Sequence, residues 1–186
     1  MFPRPHSPSL ETVVVIPARF ASTRLPQKML LRDTGKPLLQ YTYEAACAAR
    51  RPDGVVIATD HPEIAREAER FGGQVVMTSP DCASGTDRVA AAAQQLPDAK
   101  IIVNVQGDEP EISPTAIDEV IALLESTPAA GMATLATPIR DPAQLTNPAC
   151  VKVVCDDAKR ALYFSRSQIP FVRDAPAACG LAPFND

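Results

Sequence analysis

The sequence has no apolar run long enough to cross a bilayer, which removes a transmembrane helix from the readings. Its opening, MFPRPHSPSL, is Pro- and Ser-rich, lacks the apolar stretch of a signal peptide and carries one arginine. A frayed start over residues 1–11 and a cytoplasmic protein are therefore expected. The five cysteines, Cys47, Cys82, Cys150, Cys155 and Cys179, include no C-x-x-C pair and are odd in number. That argues against structural zinc and a disulfide framework, and leaves reduced thiols acting as small core residues. There is no internal repeat and no low-complexity segment. No G-x-G-x-x-G follows the first strand, which disfavours an NAD-binding Rossmann domain. A basic surplus is missing as well: the net charge is −4, against the balance expected of a nucleic-acid binder.

What is present is an alternation. With 186 residues, 46% of them apolar, the chain suits one large globular domain. Val13–Ile16 is a continuous β-branched run. KPLLQYTYEAACAA reads as a helix with Leu38, Thr42, Ala45 and Ala49 on one face, and GVVIAT as a buried strand. Asp60 reads as the N-cap of a helix carrying Ile64, Ala68 and Phe71, stopped by Gly72-Gly73. QVVMT, a helix capped by Ser84 or Thr86, KIIVNV, and a helix opened by Ser113 and Pro114 follow. GMATLATPI reads as a fifth strand. Unbroken apolar strands joined through helices predict an α/β fold, a mostly parallel sheet with helices on both faces. VKVVCD and RALYFSR predict a small β extension. The domain is expected over residues 12–174, with an irregular Pro- and Ala-rich tail over 175–186. A domain seldom ends on such a segment, so the fold is expected to be incomplete at that end.

Ligands of parallel sheets bind beyond the carboxyl ends of the strands, and four loops lie there. PARFASTRLPQKML has no glycine, yet it places Arg19, Arg24 and Lys28 beside Ser22 and Thr23. Cations and hydroxyls after a buried strand suit a polyphosphate, and Pro17 and Pro26 stiffen both sides. In an acidic chain this is local enrichment rather than general basicity. MTSPDCASGTDR puts Ser84, Gly85 and Thr86 at a helix start, where backbone donors are free; ordinary capping explains these residues equally well. NVQGDEPEI sets Asp108 just past a strand, as a Mg²⁺ site shared with phosphate oxygens requires, although a turn aspartate looks the same. In ALYFSRSQIP, Arg166 suits a bidentate grip on an anionic second substrate; in isolation it reads as a surface arginine.

Taken in order, IPARFASTRLP.K, ATDHPEI, SGTDRV, NVQGDEP and ALYFSR..IP resemble the 3-deoxy-manno-octulosonate cytidylyltransferases, or CMP-Kdo synthetases, from about Val13 to Asp174. The resemblance implies a nucleotidyltransferase, Rossmann-like architecture. It implies an enzyme that uses CTP and Mg²⁺ to activate the acidic sugar Kdo for lipopolysaccharide synthesis, as a cytoplasmic homodimer without nucleic-acid or membrane partners. It implies nucleotide contacts from Ala18, Arg19, Ser22, Thr23, Arg24, Lys28, Ser84, Gly85 and Thr86, and sugar contacts from Gln106 and Arg166. Asp108 becomes the metal ligand, and Arg19, Lys28 and Asp108 the catalytic set.

Three departures accompany the resemblance. Gln27 stands where the family has glycine, and Cys82 where it has histidine. The family is also expected to continue for roughly a further quarter of its length, with a second metal-binding aspartate, further sugar contacts and a terminal helix. Two other functions stay open: a related cytidylyltransferase for another acidic sugar, such as sialic acid, and a truncated, inactive nucleotide-binding or dimerisation module. The first loop of the sialic acid relatives typically contains glycine, unlike this one.

Overall fold

The structure, a computed structural model, describes residues 10–21, 25 and 27–171. It divides into two compact units, Met1–Ala133 and Thr134–Asp186.

In the first unit, strand β1 (Thr12–Ala18) is buried at all seven positions. It pairs in parallel with β2 (Gly54–Thr59) on one side and β4 (Ile101–Asn104) on the other, and β3 (Gln74–Met77) completes the order β3-β2-β1-β4. Successive side chains of β1 point to opposite faces. Val14, Ile16 and Ala18 join a core with Leu39 and Ala46 of α1 (Leu38–Cys47), Ile64 and Ala68 of α2 (Pro62–Arg70), and Ile117 and Ile121 of α4 (Pro114–Ser126). Val13 and Val15 face the other way, against Val89 and Ala92 of α3 (Gly85–Ala93). The expected parallel sheet with helices on both faces is what forms. Each buried Val or Ile contributes about 1.5–3 kcal/mol, so the β1 run drives the assembly.

The strand order carries a consequence for ligands. The chain steps from β1 to β2 to β3, then returns past β1 to form β4. β1 and β4 are parallel neighbours, so the loops that leave them emerge side by side at their carboxyl ends, where parallel sheets bind ligands in a crevice.

Local signals differ from expectation at three places. The buried face of α1 is Leu39, Thr42 and Ala46, rather than Leu38, Thr42, Ala45 and Ala49. Both sets satisfy helical spacing, so the apolar pattern alone does not choose between them. The N-cap of α2 is His61, whose Nδ1 accepts from the Glu63 amide at 3.2 Å, and not Asp60. The Asp60 carboxylate is taken by an arginine from α3. The segment GMATLATPI forms no strand: it joins no ladder, and Met132 and Leu135 are exposed. Composition marked it as strand-like, but a strand exists only where a neighbour supplies hydrogen bonds. The other helix starts follow their capping residues. Ser84 accepts from the Asp87 amide and Ser113 from that of Ala116, and Pro114 opens α4.

The second unit contains a short helix, α5 (Ala143–Thr146), and an antiparallel hairpin of β5 (Lys152–Cys155) and β6 (Ala161–Ser165). The Asp156 carboxylate organises the turn by accepting from the amides of Ala158 and Arg160. Those bonds, led by the Arg160 amide, hold its carboxyl below the ordinary aspartate value.

The arginine on Asp60 is Arg88, the last residue of SGTDR, and it is only 3% exposed. Its guanidinium lies 3.2 Å from Asp60 and donates to the Thr78 hydroxyl at 2.6 Å, so one buried cation ties α3 to the ends of β2 and β3. Breaking a buried pair from one side strands the remaining charge and costs roughly 3–5 kcal/mol. Arg88→Leu is expected to lower stability by about 3 kcal/mol, with Asp60→Asn recovering part of the loss in the double variant. Urea unfolding of the two singles and the double checks this; additive losses would show that the pair is not coupled.

Candidate functional site

β1 delivers Ala18, fully buried, and Arg19, exposed, to the crevice. Phe20 follows and stacks on His61, with ring centroids 3.6 Å apart and planes 11° from parallel, which pins the first loop against the start of α2. Ser22, Thr23, Arg24 and Pro26 lie outside the described residues. The loop resumes at Gln27, whose φ of 52° is left-handed. Glycine adopts that conformation freely and glutamine does not, so the substitution noted in the sequence sits at a strained position. A single 3-10 turn, Lys28–Leu30, comes next.

Lys28 crosses to the loop after β4. Its ammonium lies 2.7 Å from Asp108 Oδ2, with the two side chains 33% and 43% exposed. The structure thus brings together the cation and the carboxylate singled out in two separate loops, 80 residues apart.

Gly107 makes that meeting possible. Its carbonyl accepts from the hydroxyl of Thr42, fully buried on α1, at 3.0 Å. A β-carbon there would stand 2.9 Å from the Pro17 carbonyl oxygen and 3.0 Å from Met29 Sδ. Only glycine lets the β4 loop lie this close to the end of β1 and the Lys28 turn. Beside Asp108, Glu109 has its carboxyl pushed above the ordinary value, by burial first and by the Asp108 charge second.

Gln106 donates to the Asn104 side chain at 2.8 Å. Its Oε1 lies 3.3 Å from where a β-carbon on Gly85 would be, so the start of α3 abuts the β4 loop. Ser84 is committed to capping α3: it accepts from the Asp87 amide at 3.1 Å and donates to that carboxylate at 2.8 Å. Thr86 is exposed within the first turn. Cys82, in the preceding turn, is a half-buried free thiol. Arg166 belongs to the second unit, where its guanidinium donates to the Pro148 carbonyl at 2.7 Å.

Among the described residues, no group of three or more His, Cys, Asp and Glu side chains converges. Asp108 with Glu109 beside it offers few, hard oxygen donors. That set fits a Mg²⁺-like cation which draws its remaining ligands from phosphate and water.

Sequence reasoning did not find Arg88 with Asp60, the Phe20–His61 stack, Thr42 as the partner of Gly107, or Glu109. Only Arg88 left a readable trace: four residues after the Ser84 cap, beside Val89, it falls on the inward face of α3.

A parallel sheet whose strand-end loops bring a lysine onto a carboxylate, with an exposed arginine just past β1, has the architecture of a nucleotidyltransferase. A solved structure of CMP:2-keto-3-deoxy-manno-octonic acid synthetase complexed with CTP shares this fold, with a TM-score of 0.84 and 42% identity over 90% of this chain and 69% of that one. The family model for cytidylyltransferases matches residues 13–183, and the chain belongs to that family. Among curated relatives, the 3-deoxy-manno-octulosonate cytidylyltransferases of Rhodopirellula baltica and Geobacter sulfurreducens are 49% and 51% identical over 165 residues. Those matches cover 89% of this chain and 66% of each relative. The 8-amino-3,8-dideoxy-manno-octulosonate cytidylyltransferase of Shewanella baltica is 48% identical over 168 residues, covering 89% and 69%.

Two stability predictions follow from the loop geometry. Gly107→Ala must displace backbone at Pro17, and is expected to cost about 1–3 kcal/mol, seen as a lower urea midpoint. Gly131→Ala, in open space, serves as the neutral control, and an equal midpoint for both would remove the steric argument. Gln27→Gly is expected to raise stability by about 0.5–1 kcal/mol by relieving the left-handed residue; a lower midpoint would show that the side chain of Gln27 holds the turn.

Proposed function

We propose that this chain transfers CMP from CTP to the anomeric hydroxyl of 3-deoxy-manno-octulosonate, releasing pyrophosphate. The observation that carries the reading is the Lys28–Asp108 contact in the crevice, which joins a phosphate-type loop to a metal-type carboxylate.

In this reading Ala18, Arg19, Ser22, Thr23, Arg24 and Lys28 wrap the triphosphate, while Ser84, Gly85 and Thr86 border the cytidine. Arg19 and Lys28 neutralise charge that grows on the phosphate oxygens as the leaving group departs. Asp108 would hold Mg²⁺, which when bound supplies charge neutralisation shared with the triphosphate. Gln106 and Arg166 orient the acidic sugar. The sugar oxygen forms a bond to the α-phosphorus, the bond from that phosphorus to pyrophosphate breaks, and the hydroxyl proton leaves to solvent. No covalent intermediate with the protein is required, so catalysis is positioning together with charge neutralisation.

The ion pair supports this economy. Lys28 and Asp108 neutralise each other until a triphosphate offers the lysine a new partner. The reading carries with it a cytoplasmic homodimer that supplies lipopolysaccharide synthesis. The exact sugar is the open choice, because relatives named for the 3-deoxy sugar and for its 8-amino analogue are almost equally similar to this chain.

Pyrophosphate release tests the proposal. Release is expected only with CTP, Kdo and Mg²⁺ together, with CTP preferred over UTP, ATP and GTP. Asp108→Asn should reduce the rate about 100-fold, close to 2.7 kcal/mol of transition-state stabilisation, with a native circular dichroism spectrum. CTP binding without release would point instead to a nucleotide-binding module. Preference for the 8-amino sugar or for sialic acid would redirect the substrate, and indifference to the base would remove the cytidine assignment.

A further inference from the structure

The second unit contains a buried cation that the reading above does not use. Lys152, at the start of β5, is 3% exposed. Its ammonium donates to the carbonyls of Asn147, Cys150 and Arg166, each at 2.8 Å. Three backbone carbonyls match the three donors of the ammonium, and among the described residues none of its partners is a carboxylate. Burying an ammonium is costly unless its hydrogens are bonded, and three carbonyls held in place do that here.

What the three carbonyls share is Arg166. One of them belongs to it. The other two flank Pro148, whose own carbonyl accepts from the Arg166 guanidinium at 2.7 Å. Lys152 holds the Arg166 backbone, and through Asn147 and Cys150 it holds the loop on which the Arg166 side chain rests. Main chain and side chain are thus fixed through one ammonium. A guanidinium grips a carboxylate in bidentate fashion only when its plane is set in advance.

We propose that Lys152 is the positioning residue for Arg166, the guanidinium that the reading above places on an anionic sugar. The inference deepens the proposed function and rests on it. Lys152 touches no substrate in this account; it acts through Arg166.

The test uses steady-state pyrophosphate release by the full chain, with KM measured separately for CTP and Kdo. Lys152→Met keeps the aliphatic stem and removes the donors. It is expected to raise the Kdo KM about 10-fold or more while leaving the CTP KM within about 2-fold, since the nucleotide residues all belong to the first unit. Arg166→Gln should do the same, and the double variant should match Arg166→Gln alone, because the lysine has nothing left to position. Additive losses, or equal rises in both KM values, would reduce Lys152 to a structural residue and overturn the proposal. An unchanged Kdo KM in Arg166→Gln would overturn it by removing Arg166 from the sugar site, whereas absence of release from the parent chain would refute the functional reading itself. If Lys152→Met fails to fold, Lys152→Gln, which retains two donors, is measured in its place. Loss of folding in both would also overturn the proposal.

Discussion

Everything in the first unit follows from the burial of β1. A strand covered by neighbours on both edges and by helices on both faces has little room for polar side chains, and of its seven buried residues only Thr12, at the start, is polar. Polar chemistry is therefore deferred to the point where the strand emerges. There, between Pro17 and Arg19, the chain passes within one residue from fully buried to exposed. The reversal of strand order at β1 adds the second half of the arrangement, because the β4 loop must emerge beside it. That the two loops share one end of the sheet is a consequence of topology before any functional residue is considered.

Bringing the two loops into contact needs finer control than topology provides. The hydroxyl of Thr42 fixes the Gly107 carbonyl, and the missing β-carbon of Gly107 lets Pro17 and Met29 close in. Fully buried on α1, Thr42 has no exposed role; its hydroxyl is satisfied at the site and nowhere visible from the surface. Asp108 inherits its placement from this lock, being the next residue along. The Phe20–His61 stack performs a similar service for the first loop.

Much of this was legible in the sequence, for identifiable reasons. The parallel sheet followed from unbroken β-branched runs, and the starts of α3 and α4 from Ser84 and Ser113, because both signals are local. What escaped was pairwise. Leu38 and Leu39 are adjacent and both apolar, so only packing against β1 decides which faces inward. Asp60 had the chemistry of a cap and the right distance from Pro62, yet a buried arginine from another element claimed it. The run GMATLATPI had strand composition but no neighbour. Lys152 reads as an ordinary strand lysine, and nothing near it in sequence announces a pocket of carbonyls. The meeting of Lys28 with Asp108 was inferable only as a coincidence of two loops, each weak by itself.

Magnitude separates the roles of the basic residues where identity does not. A half-exposed pair such as Lys28 and Asp108 is worth about 0–1 kcal/mol, so separating it costs little. The Arg88–Asp60 pair is of the opposite kind. Separating it would leave a buried carboxylate without a partner, at roughly 3–5 kcal/mol, more than a ligand contact on Arg88 would return. Both cations belong to segments singled out in the sequence: PARFASTRLPQK, suited to a polyphosphate, holds one and SGTDR, a helix start, the other. Burial leaves the first able to change partners and fixes the second in the frame that holds the strand ends together. Lys152 is a third case. Its three hydrogen bonds go to backbone carbonyls, so it is fixed by main chain where Arg88 is fixed by a carboxylate and a hydroxyl. In an acidic chain, what a basic residue does is thus set less by its identity than by its burial and by the groups that its hydrogens meet.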